Sequence, residues 1–312
     1  MLIIKTVNQM QKYIDSLKQQ GKTIGFVPTL GHLHKGHQSL MEYAHKENDI
    51  LLISIFVNPL QFRKKQFHDY PTDFDRDKQI ADQMSADAIF APSIEEIYPF
   101  AKSLDVLFDI QDCDHTKRSQ TDFIIENKTD SFLDSIIRVP SKLTDKMDGI
   151  NFPWHFDGVA SVVYRLFKII RPDRSYFGQK DTQQLAIVIN LAKQFFPQIE
   201  IKNVPTLRQE NGLVFSSRNS LLTPSQTESV LVVYKTLTTA EQMIKNGNKK
   251  TSAIIKKMTD MIKSKPDIEI DYLDIIDLET LDKTDTISST VVIYCAILIN
   301  GIRLTDNLII KP

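Results

Sequence analysis

Apolar and polar positions alternate along the first hundred residues in a way that predicts helices and strands in turn. Apolar side chains recur at the spacing of one helix face over residues 5–20, and Gly21 ends that predicted helix. Residues 50–57 form a continuous apolar run of strand length, as expected for a parallel strand covered on both faces. The same rules predict helices over residues 35–48 and 75–84 and strands over residues 23–29 and 88–91.

This alternation predicts an α/β fold with a Rossmann-like, doubly wound parallel sheet. Ligands of such folds bind beyond the carboxyl ends of the strands. Residues 111–130 are polar and lack a period, which predicts a surface insertion or a mobile loop, with an overall extent of about residues 105–135. Regular patterning then returns, with helices predicted over residues 158–170 and 183–194 and a strand over residues 199–204.

The character of the sequence changes near Leu207, where a loop precedes two long helical patterns and two strand-like runs. The helices are predicted over residues 224–246 and 251–263, and the strands over residues 269–276 and 290–299. We therefore predict two domains. Residues 1–206 would bind the nucleotide and the acid substrate, and residues 207–312 would form a smaller α+β lid domain.

Composition excludes several classes of function. Hydrophobic residues make up 42% and charged residues 25% of the 312 positions, and the net charge of −1 predicts no broad basic face for nucleic acid. The two cysteines, Cys113 and Cys295, lie far apart, which argues against a disulfide scaffold or a zinc site. The apolar stretches are too short to span a bilayer and no signal peptide is apparent, so we expect a cytoplasmic protein with no membrane partner.

The first cluster with chemical potential is Pro-Thr-Leu-Gly-His-Leu-His-Lys-Gly-His at residues 28–37, directly after a predicted buried strand. His34 and His37 are three residues apart and share one face of a helix N-terminus, where free N–H groups and the helix dipole favour an anion. Gly36 lets a phosphate approach the backbone. Two imidazoles beside such an anion site suit the charge that develops during phosphoryl transfer. The alternative is a solvated polar turn; a zinc site lacks an apparent third ligand.

Three further clusters are weaker when taken singly. Asn58 and Gln61 follow an apolar strand, and their amides suit a hydroxyl or a carboxylate, although Asn-Pro turns are common. Lys180 offers a point charge to phosphate, and Asp181 could hold Mg²⁺ or a ribose hydroxyl, unless it is simply an early acid of a helix. Residues 215–219 place two hydroxyls and an arginine in a loop, which suits a polyphosphate clamp or an ordinary polar loop.

Together these clusters resemble the pantothenate synthetase family, a branch of the nucleotidyltransferase superfamily that carries the H-x-G-H motif. The matching segments are GFVPTLGHLHKGHQSL, SIFVNPLQF, APSIEEIYP, FGQKDTQQLAIV, GLVFSSRNSLLTP and, more weakly, RLTDN. The resemblance covers nearly the whole chain except about residues 105–135. It implies a homodimeric ligase with a lid that closes over ATP. ATP and pantoate would give pantoyl adenylate and pyrophosphate, and β-alanine would then displace AMP to form pantothenate.

The resemblance also implies roles for individual residues. His34, His37 and Lys180 would be catalytic, with the histidines on the phosphates and His37 as the proton donor. Pantoate and β-alanine would be bound by Gln61, Asn58 and Gln184, and Mg²⁺ would sit on the ATP phosphates, with Asp181 as its only possible protein ligand. The implied ATP-binding residues are Leu30, Gly31, His34, Gly36, His37, Gly178, Gln179, Lys180, Asp181, Leu207, Phe215, Ser216, Ser217 and Arg218.

This sequence departs from the family pattern at several positions. Leu30 replaces a methionine, and arginines expected from the resemblance are missing at Thr72, Phe152 and Asp157. Asp157 is expected to pair with a cation of the insertion, either Lys117 or Arg118. Two other functions are alternatives to the ligase. An adenylyl transfer to a mononucleotide would need cations where Asn58 and Gln61 stand, and a non-catalytic nucleotide sensor is the other alternative.

Overall fold

A computed structural model describes residues 1–111, 118–127, 131–278 and 280–311, apart from the side chains of Asn127 and Ser217. The chain divides into two compact units, Met1–Pro205 and Thr206–Pro312. The roles assigned above to these two parts, as nucleotide site and lid, stay a prediction. Of the helices in the described ranges, none combines the length and the apolar character that a bilayer crossing requires.

The first unit is built on a six-stranded sheet in which every pairing is parallel. The strand order is β1-β4-β3-β2-β7-β8. Its elements are β1 (Leu2–Ile4), α1 (Val7–Gln19), β2 (Ile24–Thr29), α2 (Lys35–Glu47), β3 (Ile50–Ile55), α3 (Lys64–His68), α4 (Phe74–Gln83), β4 (Ala88–Phe90), α5 (Ile94–Ile97), α6 (Leu104–Gln111), β5 (Ile124–Asn127), β6 (Ser135–Arg138), α7 (Ser141–Thr144), α8 (Pro153–Ile170), β7 (Arg174–Gly178), α9 (Thr182–Phe195) and β8 (Glu200–Val204).

The predicted Rossmann-like architecture is therefore confirmed. Strands β2 and β3 are buried because helices cover the sheet, and α2 and α4 contribute Met41 and Ala81 to the core beside Val27 and Ile53. Strand β2 pairs with both β3 and β7. Because parallel strands end at the same edge, the segments that follow β2, β3 and β7 leave the sheet side by side. These segments carry three of the four predicted clusters.

Two strands of this sheet were not predicted. Strand β1 is only three residues long, too short for a pattern, and β7 begins with Arg174 and Ser175. Ser175 is buried, and its hydroxyl donates to the carbonyl of Phe26 at 3.2 Å, which the sequence pattern alone does not show. A polar residue with a distant partner thus interrupts the apolar signal of the strand.

The prediction of a surface loop over residues 111–130 is wrong in part. Strand β5 lies in this stretch and pairs with β6 in an antiparallel ladder, and Phe123 is buried beside it. Gln111 ends α6 and is also buried. Residues 112–117, which include Cys113 and Lys117, lie outside the described residues. Cys295 is buried, as expected of a free cysteine in an apolar run.

The second unit is a three-stranded antiparallel sheet packed against two helices. Its elements are α10 (Pro224–Lys245), α11 (Thr251–Lys263), β9 (Ile268–Asp277), β10 (Val291–Ile299) and β11 (Ile302–Ile310), with the strand order β11-β10-β9. Both helices and the first two strands lie where they were predicted. Strand β11 was not predicted, because Asp306 and Asn307 break its apolar pattern. Both are buried, and Arg208 donates to the carboxylate of Asp306 and to the backbone carbonyl of Asn307.

Candidate active site

The turn after β2 orients two imidazole rings at the N-terminus of α2. Gly36 donates its backbone N–H to Nδ1 of His34 at 3.1 Å, and His34 donates its own to Nδ1 of His37 at 3.3 Å. The ring centroids lie 4.1 Å apart. A backbone N–H can only donate, so both Nδ1 atoms are unprotonated and each neutral ring carries its hydrogen on Nε2. Both residues therefore present an Nε2–H donor at the positive end of a helix.

The surroundings of both rings favour their neutral form. Burial, reinforced by the Lys180 ammonium, lowers the pKa of His34 to about 4, and burial together with His34 lowers the pKa of His37 to about 3. If both rings were protonated, two cations would lie in van der Waals contact. The proton-donor role that the resemblance implies for His37 stays a prediction; the neutral ring offers an Nε2–H for hydrogen bonding.

The lowered pKa values make stability depend on pH. Since the unfolded chain takes up protons below about pH 6.5 and the folded rings do not, stability present above that pH is lost as the pH falls. We expect wild type to lose up to about 2 kcal/mol more between pH 7.5 and 5.0 than a His37→Gln variant. Glutamine at this position can still cap the helix. Urea unfolding at both pH values measures the difference, and equal losses would contradict the neutral ring.

A buried acid holds the turn in place. Asp77 of α4, which is 1% exposed, accepts the backbone N–H groups of His32 and Leu33, both at 2.7 Å. His32 has a left-handed φ of 51°, and Gly31 has a φ of 87°. A Cβ at Gly31 would lie 2.9 Å from the Asp77 carboxylate. Asp77 therefore stabilises a strained backbone that leads directly into His34.

The turn after β7 brings a cation to the same edge of the sheet. Nζ of Lys180 lies 3.2 Å from Oδ1 of Asp181, and the lysine side chain is 20% exposed. Lys180 and Asp181 both act electrostatically on the two histidines, so the first and third predicted clusters are close together. A Cβ added at Gly178 would meet open space, so packing does not require glycine there. Gln184 is half-buried on the first turn of α9.

The turn after β3 carries Gln61, and Asn58 holds it. Nδ2 of Asn58 donates to Oε1 of Gln61 and to the carbonyl of Gly158, each at 3.0 Å. Its Oδ1 accepts the N–H of Leu60 at 3.3 Å and the hydroxyl of Tyr98 at 2.6 Å. All four hydrogen-bonding positions of the Asn58 amide are thus used within the protein. The contact of Asn58 with pantoate or β-alanine, which the sequence suggested, stays a prediction.

Asp157 pairs with a cation of the insertion. Arg118 approaches its two carboxylate oxygens at 2.8 and 2.7 Å, so one of the two expected partners is confirmed. Arg138 adds a further contact at 3.2 Å, and both side chains of the Arg118–Asp157 pair are nearly buried. The acid at this position therefore ties the insertion to α8.

The second unit holds the remaining predicted residues. Leu207 and Phe215 lie on the two arms of a hairpin, where the N–H of Phe215 donates to the carbonyl of Leu207 at 3.4 Å. Arg208 fixes this hairpin through a bidentate pair with Asp306. Ser216 caps the short 3₁₀ turn Ser217–Leu221, and the exposed Arg218 donates to the carbonyl of Arg303 at 3.0 Å. The side chain of Ser217 lies outside the described atoms.

Comparison with known proteins decides the family. The family model described as pantoate-beta-alanine ligase matches residues 2–309. The chain belongs to this family. It is similar to the pantothenate synthetase of Caldicellulosiruptor saccharolyticus, with 37% identity over all of both chains. Among solved structures, the pantothenate synthetase of Thermus thermophilus matches with a TM-score of 0.83 and 31% identity, covering 100% of each chain.

A second solved structure is the pantoate-beta-alanine ligase of Francisella tularensis, complexed with beta-gamma ATP and beta-alanine. It matches with a TM-score of 0.71 and 29% identity, covering 99% of this chain and 97% of that one. The present chain is thus a pantoate–β-alanine ligase, an enzyme that forms an amide bond between these two molecules. An adenylyl transferase acting on a mononucleotide is not supported.

In this pantoate–β-alanine ligase, three residues that stabilise the turns of the site were not predicted from the sequence. Asp77, Tyr98 and Gln111 are buried and bond to groups at least 40 residues away in the chain. Asp77 could have been recognised, because it is an acid on the apolar face of a predicted helix and such an acid needs a buried partner. Tyr98 and Gln111 gave no comparable signal, because their partners are set by the tertiary fold.

Proposed function

We propose that this ligase uses ATP to condense pantoate with β-alanine through a pantoyl-adenylate intermediate, releasing AMP and pyrophosphate. The observation that carries the proposal is the pair of Nε2–H donors of His34 and His37 at a helix N-terminus beside Lys180. Neutral donors, a helix dipole and one ammonium suit the phosphates of ATP. The Francisella tularensis relative, complexed with beta-gamma ATP and beta-alanine, supports the same two ligands here.

In the first step a carboxylate oxygen of pantoate attacks the α-phosphorus, and pyrophosphate leaves. The substrate supplies the nucleophile, so the protein needs no reactive serine or cysteine. Its work is to align the reactants and to stabilise the charge on the phosphates, through Lys180, the two Nε2–H groups and the N–H groups of the first turn of α2. Gln61 and Gln184 are proposed to hold pantoate.

In the second step the amine of β-alanine attacks the acyl carbon. The C–N bond forms, the bond between that carbon and the AMP oxygen breaks, and the nitrogen releases one proton to solvent. The adenylate must be kept from water until then. We propose that the second unit serves as the lid, with the hairpin residues Leu207 and Phe215 and the segment of Ser216, Ser217 and Arg218 contributing to ATP binding.

Three further assignments belong to the proposal. Mg²⁺ would arrive on the ATP phosphates, because no group of three or more His, Cys, Asp or Glu side chains able to hold a metal occurs among the described residues. Asp181 is the candidate side chain for a contact with this ion. A homodimer and a cytoplasmic location are proposed from the family resemblance, and light scattering at micromolar concentration tests the dimer.

The test is a coupled assay that follows pyrophosphate and AMP release while each substrate is omitted in turn. Pyrophosphate should require ATP and pantoate, and AMP with pantothenate should also require β-alanine. Pyrophosphate release that does not depend on pantoate would reject the proposed function. Good ATP binding with pyrophosphate exchange no faster than in a His37→Ala variant would instead favour the nucleotide sensor.

A further inference from the structure

Side chains from several elements hold the turn that carries Gln61. Nε2 of Gln111 donates to the carbonyls of Pro59 and Phe62, at 2.9 and 2.8 Å, and so clamps the chain on both sides of Gln61. Nδ1 of His155 lies 2.8 Å from the carbonyl oxygen of Gln61. A carbonyl only accepts, so this nitrogen must donate. The backbone of Gln61 therefore has little freedom to move.

The orientation of the Asn58 amide follows from two backbone groups. The N–H of Leu60 can only donate, so the atom that it meets must be the amide oxygen. The carbonyl of Gly158 can only accept, so the atom that it meets must be the amide nitrogen. Asn58 is fully buried, and a flipped amide would oppose both backbone groups at once.

Tyr98 strengthens this orientation. Its hydroxyl lies 2.6 Å from Oδ1 of Asn58 and must donate to it. Burial raises the pKa of the Tyr98 hydroxyl, so the proton stays in place. The guanidinium of Arg165, itself fully buried, lies 4.5 Å from the centroid of the Tyr98 ring and polarises the phenol towards donation. The second hydrogen on Nδ2 of Asn58 then points at Oε1 of Gln61.

We propose that Asn58 and Tyr98 are positioning residues that fix the Gln61 amide with its oxygen towards Asn58 and its Nε2 towards pantoate, so that Gln61 meets this substrate as a hydrogen-bond donor. The inference rests on the proposed function. Pantoate offers hydroxyl and carboxylate oxygens, which accept such a bond. The Nε2–H of Gln61 would therefore recognise an acceptor oxygen of the acid substrate.

Gln61→Glu tests the direction of this hydrogen bond. Glutamate keeps an acceptor for Asn58 and replaces the donating end with a carboxylate oxygen. At pH 8 the KM for pantoate should rise about ten- to a hundredfold, while the KM for ATP stays within about twofold. As the pH falls towards 5.5, the ratio of variant to wild-type kcat/KM for pantoate should recover, because a protonated carboxyl regains an O–H donor. An unchanged KM for pantoate at pH 8 would overturn the proposal.

Tyr98→Phe tests the positioning role, with Tyr176→Phe as its matched control. Tyr176 is equally buried, and its hydroxyl bonds to Glu47 and Asn48 at the far end of α2. Both variants should lose thermal stability, but only Tyr98→Phe should raise the KM for pantoate, by about three- to tenfold. Equal effects on that KM would reduce Tyr98 to a structural role and reject the positioning. An inactive wild type would reject the proposed function itself, which the two variants do not test.

Discussion

Replacing His37 or Lys180 with alanine is expected to slow pantoate-dependent pyrophosphate release by about a hundredfold or more in each case. The His37 ring is a preoriented donor whose Nδ1 is occupied by the His34 backbone, and Lys180 is the cation that acts on both rings. In a site that excludes water, one such group is worth about 3–4 kcal/mol in the transition state. Initial rates with saturating ATP and pantoate, without β-alanine, measure the effect.

Two control variants separate this effect from general damage. His45→Ala removes an exposed histidine from the last turn of α2, the helix that begins beside His37. Lys202→Ala removes a lysine of strand β8 that pairs with Glu47 at the end of α2 and with Glu200 of β8. Both should keep at least about half of the wild-type rate, since surface pairs contribute little. Near-normal rates in both His37→Ala and Lys180→Ala would place the phosphates elsewhere.

Replacing Asp157 with alanine is expected to lower the free energy of unfolding by about 3–5 kcal/mol, because it removes one partner of a buried ion pair. Its carboxylate meets Arg118 at 2.7 Å, Arg138 at 3.2 Å and the N–H of Val139 at 2.9 Å. Removing it leaves two arginines, whose side chains are 6% and 8% exposed, without their shared anion. Urea unfolding at pH 7.5 measures the loss.

Asp15→Ala is the matched control for this prediction. Asp15 also pairs with an arginine, Arg171, but the two side chains are 57% and 44% exposed. Its removal should cost less than about 1 kcal/mol, because solvent already screens the pair. A loss in Asp157→Ala as small as in Asp15→Ala would mean that the arginines find other partners, and the insertion would not depend on this acid.

Much of the architecture was predictable because burial imposes patterns on the chain. The runs that became β2 and β3 are apolar on both faces, and α1 and α11 repeat apolar residues at helical spacing. The position of the histidines followed from a turn between a buried strand and a helix. Since β2 lies between β3 and β7, the expectation that the clusters meet at one sheet edge also had a physical basis.

The rest depended on contacts between distant residues, which local patterns do not encode. Strands β7 and β11 carry buried polar residues whose partners lie elsewhere, so their apolar signal is broken. The orientation of the Asn58 amide depends on the backbone of Gly158 as well as that of nearby Leu60, and Tyr98 strengthens it; Gly158 and Tyr98 lie 100 and 40 residues away in the chain. Likewise, the tautomers of His34 and His37 can be assigned only from the hydrogen bonds at the helix N-terminus, and the sequence motif alone does not give them.

The departures from the family pattern can now be judged separately. The acid at position 157 has a structural explanation in Arg118 and Arg138, because it joins the insertion to α8. Nothing in the structure accounts for Thr72. At position 152 the phenylalanine packs edge-on against Trp154, at 6.3 Å between ring centroids, so it serves packing where the resemblance implied a cation.

The most direct measurement follows the carboxylate oxygens of pantoate labelled with ¹⁸O through one turnover. If the carboxylate attacks the α-phosphorus and the amine then displaces AMP, one labelled oxygen appears in AMP and the other remains in the new amide. Mass spectrometry of both products reads this transfer. Label in inorganic phosphate with unlabelled AMP would show activation through another phosphorus atom, and the arrangement of histidines, lysine and Gln61 described above would not be an adenylation site.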